Sequence, residues 1–383
     1  MIIGTRGYPS YYGGFETLVR RLGPYLVDNQ WDLTVYGRPG AMRADDPDRD
    51  WRVTVRTTRG LESKSLSTIS YGLSAAIDAA LAGVDVALIM NVANGFWLPI
   101  LKARGIRTVV NVDGIEWERA KWGRSARRVF RLGAKMTARY ADELVFDAEA
   151  IKDYWIREFG RSGTFIPYGG EPDYPTLDAP KFEPGTYALM VARFVPENSI
   201  REFIHAVEML EDQPVVVVGS SGYGGEFDEA LKRLHESRDN VHWLGHVKDD
   251  ALLFSLWENC GVYFHGHSVG GTNPALVQAM ACGAPTIARD TSYNREVLGD
   301  AGRFVQPSPR AIADSIAELI ADHAAQSAMA EASRERAKRH YSWESVCRSY
   351  SDLMFGVPTS TPAHNESADS LRTGDEDGSI SYD

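Results

Sequence analysis

The sequence predicts an α/β protein of two Rossmann-like, doubly wound parallel-sheet domains facing a cleft, on three observations. Short β-branched runs alternate with helical patterns along most of the chain, the pattern of parallel sheets covered on both faces. The chain has 383 residues, long for one hydrophobic core. A proline-rich stretch, EPDYPTLDAPKFEPG, interrupts the series near its middle. Residues 1–172 then form an N-terminal domain, 173–185 a linker, and 186–340 a C-terminal domain. Residues 341–356 form a helix crossing back to the first domain, and 357–383 a Pro/Ser/Thr-rich acidic tail expected to be disordered.

The elements follow in order. MIIGTRG places a glycine turn after only three apolar residues, too few for a full buried strand. Either that strand is cut short or the true start lies upstream, and the second reading is preferred. Strands are expected at LTVY (33–36), VDVALIMN (84–91), RTVVNVDG (107–114), ELVFDAE (143–149) and TFIPYG (164–169). Helices such as TLVRRLGPYLVDN and YGLSAAIDAALAG lie between several of them. The second series reads TYALMVAR, PVVVVG, VHWLG, GVYFHG, APTIARD and RFVQ, again with helices between.

Composition narrows the function class. With 44% hydrophobic and 24% charged residues the chain reads as globular. A net charge of −11, of which −5 falls in residues 363–383, argues against nucleic acid as a partner. The three cysteines, Cys260, Cys282 and Cys347, form no Cys-x-x-Cys pair, which points to a reducing compartment and away from a thiolate metal site. There is no 18-residue apolar run and no signal-peptide pattern, so a cytoplasmic location is expected.

Open α/β sheets bind ligands at the carboxyl ends of their strands. After the first strand comes GTRGYPSYYGGFET, where Gly13 and Gly14 open a helix and Glu16 sits in its first turn, as a simple turn or a phosphate-covering loop. Asp113 ends a strand before a glycine, as a turn aspartate or a cleft residue. Arg193 ends TYALMVAR, where it meets either a surface carboxylate or a bound anion. Gly219 opens GSSGYGGE, and His246 lies in GHVKD. In HSVGGTNPALVQAMACGAPTIARD, Gly270, Gly271, Thr272 and Asn273 stand at the mouth of a helix, where free N–H groups and the dipole favour an anion.

Together GTRGYPSYYGGFET, NVANGFWLP, NVDGIEWERAKWGR, ARFVPEN, GGTNPALVQAMACGAPTIARD with NREVLGD, and YSWESVCRSY resemble the retaining glycosyltransferases of family 4, of GT-B fold. The similarity covers residues 1 to about 355 and is greatest to a subgroup with rhamnosyltransferase-like members that build bacterial surface polysaccharide. It implies a nucleoside-diphosphate sugar as donor, a glycan or lipid-linked acceptor, and no metal or other cofactor. Arg193 would hold the diphosphate. Gly13 and Gly14 would close over the phosphates, with Gly219 and His246 near the nucleotide. The backbone N–H groups of Gly271, Thr272 and Asn273 would serve the sugar and distal phosphate. Asp113 stands where many relatives have a histidine near the sugar, so it would act electrostatically rather than as a nucleophile.

Three positions depart from the family pattern. Asn198 replaces a lysine that shares the phosphate charge, and Arg6, Lys248 or an N-terminal-domain residue would have to substitute. Gly270 and Gln278 replace two glutamates. Gln278 can still hydrogen-bond a ribose hydroxyl.

One feature concerns the acceptor. Lys121, Arg124, Arg127, Arg128, Arg131, Lys135 and Arg139 recur at helical spacing, with Ala126, Val129, Phe130, Gly133, Met136 and Tyr140 assigned to the opposite face. This Arg124–Arg139 stripe suits either solvent or an acidic membrane surface. Rival readings are a nucleotide-sugar epimerase, a phosphorylase and a non-catalytic nucleotide-sugar-binding protein. A dinucleotide oxidoreductase is disfavoured because neither GTRGYP nor GSSGYGGE completes Gly-x-Gly-x-x-Gly. His265 and His267 could line the cleft or hold a metal.

Overall fold

The computed structural model describes residues 1–11, 13–41, 45–61, 67–119, 122–171, 182–222, 224–247 and 249–357. Most of the expected linker, the tail from 358 onward, Lys121 and Lys248 lie outside the described residues.

The N-terminal half runs β1 (Ile2–Ile3), α1 (Gly14–Asp28), β2 (Thr34–Gly37), β3 (Thr54–Thr57), α2 (Ser67–Ala82) and β4 (Val86–Met90). It continues through a 3-10 turn, Val92–Trp97, then α3 (Leu98–Ala103), β5 (Arg107–Asn111), α4 (Arg124–Tyr140), β6 (Glu143–Phe146), α5 (Glu149–Phe159) and β7 (Thr164–Phe165). The C-terminal half runs β8 (Ala188–Val191), α6 (Ile200–Glu208), β9 (Val215–Val218), α7 (Glu226–Ser237), β10 (Val241–Gly245), α8 (Asp250–Asn259) and β11 (Val262–His265). It ends with α9 (Pro274–Cys282), β12 (Thr286–Arg289), α10 (Ser292–Leu298), β13 (Arg303–Val305), α11 (Pro309–Ala321), α12 (His323–His340) and α13 (Trp343–Phe355).

Among the described residues the strands form two parallel sheets, ordered β3-β2-β1-β4-β5-β6-β7 and β10-β9-β8-β11-β12-β13. The fold class matches the sequence expectation. Strand order reverses between β1 and β4 in one sheet and between β8 and β11 in the other. A crevice opens at such switch points because consecutive crossovers leave on opposite faces. The loops after β1, β8 and β11 carry the glycine and arginine motifs singled out above.

The first strand is short, and its two residues are fully buried at the sheet centre, where the Met1 nitrogen donates to Val86 O at 2.7 Å. The edge strand β3 was not expected: three of its four residues are exposed, so no apolar run marks it.

Each sheet is covered on both faces. In the N-terminal domain Ile89, Val110 and Phe146 meet α2, α4 and α5, while Leu88, Val109 and Val145 meet α1 and α13. Helix α13 therefore packs on the N-terminal sheet: Val346, Tyr350 and Leu353 are buried among Leu18, Leu22 and Val109. Trp31 Nε1 donates to Ser351 Oγ at 3.2 Å, and Asn111 Nδ2 donates to the Tyr350 hydroxyl at 2.7 Å. Tyr350→Phe removes that acceptor inside the core. It is expected to lower unfolding stability by about 1–3 kcal/mol, measured as a reduced urea midpoint at unchanged slope.

Candidate functional site

The two domains meet along the carboxyl edges of their sheets. The bend entering α9 is the closest contact. The Thr272 N–H donates to Asp147 O at 3.0 Å, and the Thr272 hydroxyl donates to the same carbonyl. A methyl group at Gly271 would collide with the Asp147 carboxyl, so any side chain here would have to displace it. Gly270 has φ +114°, a conformation that favours glycine. Opposite it, a methyl at Gly114 would lie 3.6 Å from Gly270 Cα.

Further clasps cross the seam. Glu296 of α10 accepts from the Glu149 and Ala150 N–H groups at 2.8 and 3.3 Å, placing a carboxylate at the positive end of α5. Gly170 N–H donates to Tyr341 O at 2.8 Å. A methyl at Gly14 would lie 3.2 Å from both Pro274 Cγ and the Tyr168 hydroxyl, so the starts of α1 and α9 abut.

A carboxylate cluster lines the N-terminal wall. Asp113 adopts the left-handed conformation, φ +61°. Its N–H donates to Asn111 Oδ1 at 2.9 Å, and its Oδ2 accepts from Asn91 Nδ2 at 3.1 Å. Asn111 thereby joins Asp113 to Tyr350 of α13. The Arg119 guanidinium lies 2.7 Å from Glu116 Oε1 and 4.0 Å from Asp113 Oδ1. Burial opposes its charge, but Asp113, Glu116 and Asp147 outweigh that and move its pKa up.

Asp147 is 4% exposed, and its Oδ1 has no hydrogen-bond partner among the described residues. Burial first, then the Asp113 charge, push its carboxyl up to about 8. Glu16 is also buried, accepts the Arg6 N–H at 3.1 Å, and is shifted upward by burial.

The C-terminal wall is cationic. Arg193 is exposed at the end of β8 and makes no ion pair among the described residues. Asn198 is buried and turns its amide onto Arg193 O at 2.8 Å, so it braces the loop and supplies no replacement charge there. Arg289, at the end of β12, is half-buried and reaches past β11 to Ser199 Oγ at 3.0 Å. It too has no carboxylate partner among the described residues. The Glu197 carbonyl accepts from Ser268 N–H and Oγ at 2.9 and 2.8 Å, fixing the Arg193 loop to the glycine bend. His265 and His267 stack at 4.3 Å. Burial, with the Arg193 charge second, pushes His267 down to about 3 and keeps it neutral. Among the described residues no three His, Cys, Asp or Glu side chains converge as metal ligands.

The other expected positions sort as follows. Thr272 N–H is spent on Asp147 and is unavailable to a ligand, whereas Gly271 and Asn273 N–H make no such bond among the described residues. Asn273 caps α9, accepting from Ala275 N–H at 3.0 Å. Gln278 is half-buried within α9, and His246 is exposed after β10. Gly219, φ +125°, sits where a methyl would strike Ala192 O, and its N–H donates to Gly245 O at 2.6 Å. Gly13 caps α1 in extended conformation. The Arg6 charge acts on Glu16.

Sequence reasoning missed Arg119, Asp147 and Arg289. Each stands near the end of a predicted strand or its loop, which was the available signal.

Helix α4 corrects one assignment. Phe130, Gly133, Ala134 and Thr137 are buried, and α4 packs on the turn 92–97. Val129, placed on that face from spacing, is instead 38% exposed beside Arg128, with Leu132 51% exposed. Arg127 donates to Arg119 O, and Arg131 pairs with Glu158.

Residues 178–336 match the family described as Glycosyl transferases group 1, and residues 79–171 match Domain of unknown function (DUF1972). The chain is 26% identical over 198 residues to O-antigen chain mannosyltransferase B of Escherichia coli, covering 48% of this chain and 49% of that protein. It is 27% identical over 213 residues to the phosphatidyl-myo-inositol mannosyltransferase of Mycolicibacterium smegmatis, covering 52% and 53%. The chain thus spans about half the length of the curated relatives it matches. Among solved structures, sucrose-phosphate synthase from Thermosynechococcus elongatus superposes with TM-score 0.76 at 19% identity, covering 93% of this chain and 98% of that one. Anabaena Alr3699/HepE in complex with UDP does so with TM-score 0.71 at 16% identity, covering 93% and 99%. These likenesses show the fold: two Rossmann-like domains in GT-B arrangement.

The glycine bend gives a direct test of the seam. Gly271→Ala should destabilise the protein by about 1–3 kcal/mol through overpacking against Asp147. Adding Asp147→Ala should recover part of that loss, which a double-mutant cycle in urea would read.

Proposed function

We propose that the protein is a glycosyltransferase that moves a hexose or deoxyhexose from a nucleoside-diphosphate sugar to a glycan or lipid-linked acceptor. The observation that carries this reading is the pair of arginines with no carboxylate partner among the described residues, Arg193 and Arg289, on one sheet edge beside the glycine bend. Above them the positive ends of α1 and α9 abut, and α9 has no acidic residue in its first turn. Two helix starts and two guanidinium groups favour a multiply charged anion between them. The Glycosyl transferases group 1 match over this half supports a nucleotide sugar as that anion.

Arg289 supplies the second cation that Asn198 lacks. Both arginines stabilise charge growing on the departing diphosphate as the bond from sugar C1 to phosphate oxygen breaks. With retention, the acceptor hydroxyl oxygen bonds C1 on the same face and its proton passes to the leaving phosphate. Asp113, held by Asn91 and Asn111, faces the developing positive charge on the sugar. The scheme calls for no metal or organic cofactor.

Rhamnose is the sugar favoured by subgroup resemblance, while mannose is what the relatives' names carry, so both belong in the assay. The acceptor side concerns α4. Its outer face presents Arg124, Arg128, Lys135 and Arg139 with exposed Val129 and Leu132, a composition suited to an anionic lipid surface. Surface-polysaccharide synthesis at the inner face of the cell membrane fits that face.

Titration calorimetry with UDP, GDP, dTDP and ADP should find one diphosphate that binds. Arg193→Ala and Arg289→Ala should each weaken it about 10- to 100-fold, the scale of a charge-assisted hydrogen bond. Unchanged affinity in both variants would sink the diphosphate assignment. The corresponding dTDP-rhamnose and GDP-mannose turnover then separates the sugars. For the membrane, Arg124→Glu/Arg128→Glu/Lys135→Glu should abolish sedimentation with phosphatidylglycerol vesicles. Equal sedimentation of variant and wild type would rule out α4.

A further inference from the structure

Asp147 is a buried acid of the cleft that the scheme above leaves unused, and the inference drawn from it rests on the reading of the cleft as a diphosphate site. Asp147 follows β6, lies 4% exposed, and presents an Oδ1 with no partner among the described residues directly to Gly271. The Gly271 N–H is itself unbonded among the described residues. A phosphate oxygen seated on that N–H therefore lies beside the Asp147 carboxyl, with no side chain between.

The surroundings decide which form of the acid such a ligand meets. Asp113 at the end of β5, Arg119 beyond it, Glu296 and Tyr293 on α10, Tyr168 after β7 and Tyr350 on α13 are the charged and titratable groups around it. Arg119 is the cation of this set, and it is already engaged with Glu116 at 2.7 Å and near Asp113 at 4.0 Å. It cannot also neutralise a third carboxylate and a phosphate. An ionised Asp147 would put two anions within a few ångströms in a buried place, which strongly disfavours one of them.

We propose that Asp147 binds the diphosphate as a neutral acid, donating its proton in a hydrogen bond to a phosphate oxygen seated at the Gly270–Thr272 bend, so that ligand and proton bind together. The carboxyl is pushed up to about 8 by burial first and by Asp113 second, so the free protein carries the proton at neutral pH and loses it in mild alkali. A bound anion raises that value further. Binding above the free-protein value then takes up a proton, and affinity falls as pH rises through it.

The test is calorimetry with the tightest-binding member of the UDP, GDP, dTDP and ADP panel between pH 7.5 and 9.0, where the terminal phosphate is already ionised. Wild-type affinity should fall about tenfold over that range, the fall expected when a proton with pKa near 8 is required. Asp147→Asn, whose amide donates at every pH, should give a flat profile. At pH 8.5, buffers of different ionisation enthalpy should show wild type taking up a substantial fraction of a proton on binding, a readout that needs no variant. The proposal is overturned by equal pH slopes in wild type and Asp147→Asn, or by no proton uptake in wild type. Failure of every diphosphate to bind wild type at any pH would instead overturn the reading of the cleft, and the proposal with it.

Discussion

The structure depends on a bend of backbone without side chains meeting a buried acid. Gly271 and Thr272 lie flush on Asp147, with the Thr272 N–H and hydroxyl both delivered to its carbonyl. A side chain at Gly271 would have to displace that carboxyl, because a methyl would occupy its volume. Every other contact across the seam is compatible with that approach: Glu296 on the start of α5, Gly114 opposite Gly270, Gly14 opposite Pro274. The glycines are where two backbones come together, and their freedom in φ matters only at Gly270.

The seam also separates charge. Acids collect on the N-terminal wall, with Arg119 shared among them, while Arg193 and Arg289 stand across the cleft with no carboxylate partner among the described residues. Two guanidinium groups with no carboxylate partner among the described residues, beside two helix starts, leave the site short of negative charge. On the proposed reading, the donor diphosphate supplies it. The neutral state of His267 follows from the same field, since burial and Arg193 both oppose its protonation.

Much of the fold was legible because it rests on periodicity. Runs such as PVVVV form fully buried central strands, and each was placed within a few residues. The edge strand β3 escaped because exposed strands carry no apolar run. The candidate site was legible wherever a motif sits at the end of a strand, as at Arg193, Asp113 and the glycine bend. Partnership was not. Nothing in the spacing of Asn198 shows that its amide turns onto Arg193 O, or that Arg289 reaches Ser199 some ninety residues away. The misplacement of Val129 has a related cause: helical spacing gives a face, but the width of the buried stripe is set by the turn 92–97 against it.

The departures at Gly270 and Gln278 take a different meaning in this setting. A glutamate at Gly270 would add a carboxylate beside Asp113 and Asp147, where Arg119 is already committed. Gly270 itself faces open space, so the cost of such a residue is electrostatic and conformational rather than steric. The chain instead carries its acids on the opposite domain, where Asp147 meets the bend across the seam. A carboxyl that crosses the seam to a backbone bend is worth little unless it is neutral or meets a cation. That requirement links the proton on Asp147 to the absence of side chains at Gly270 and Gly271.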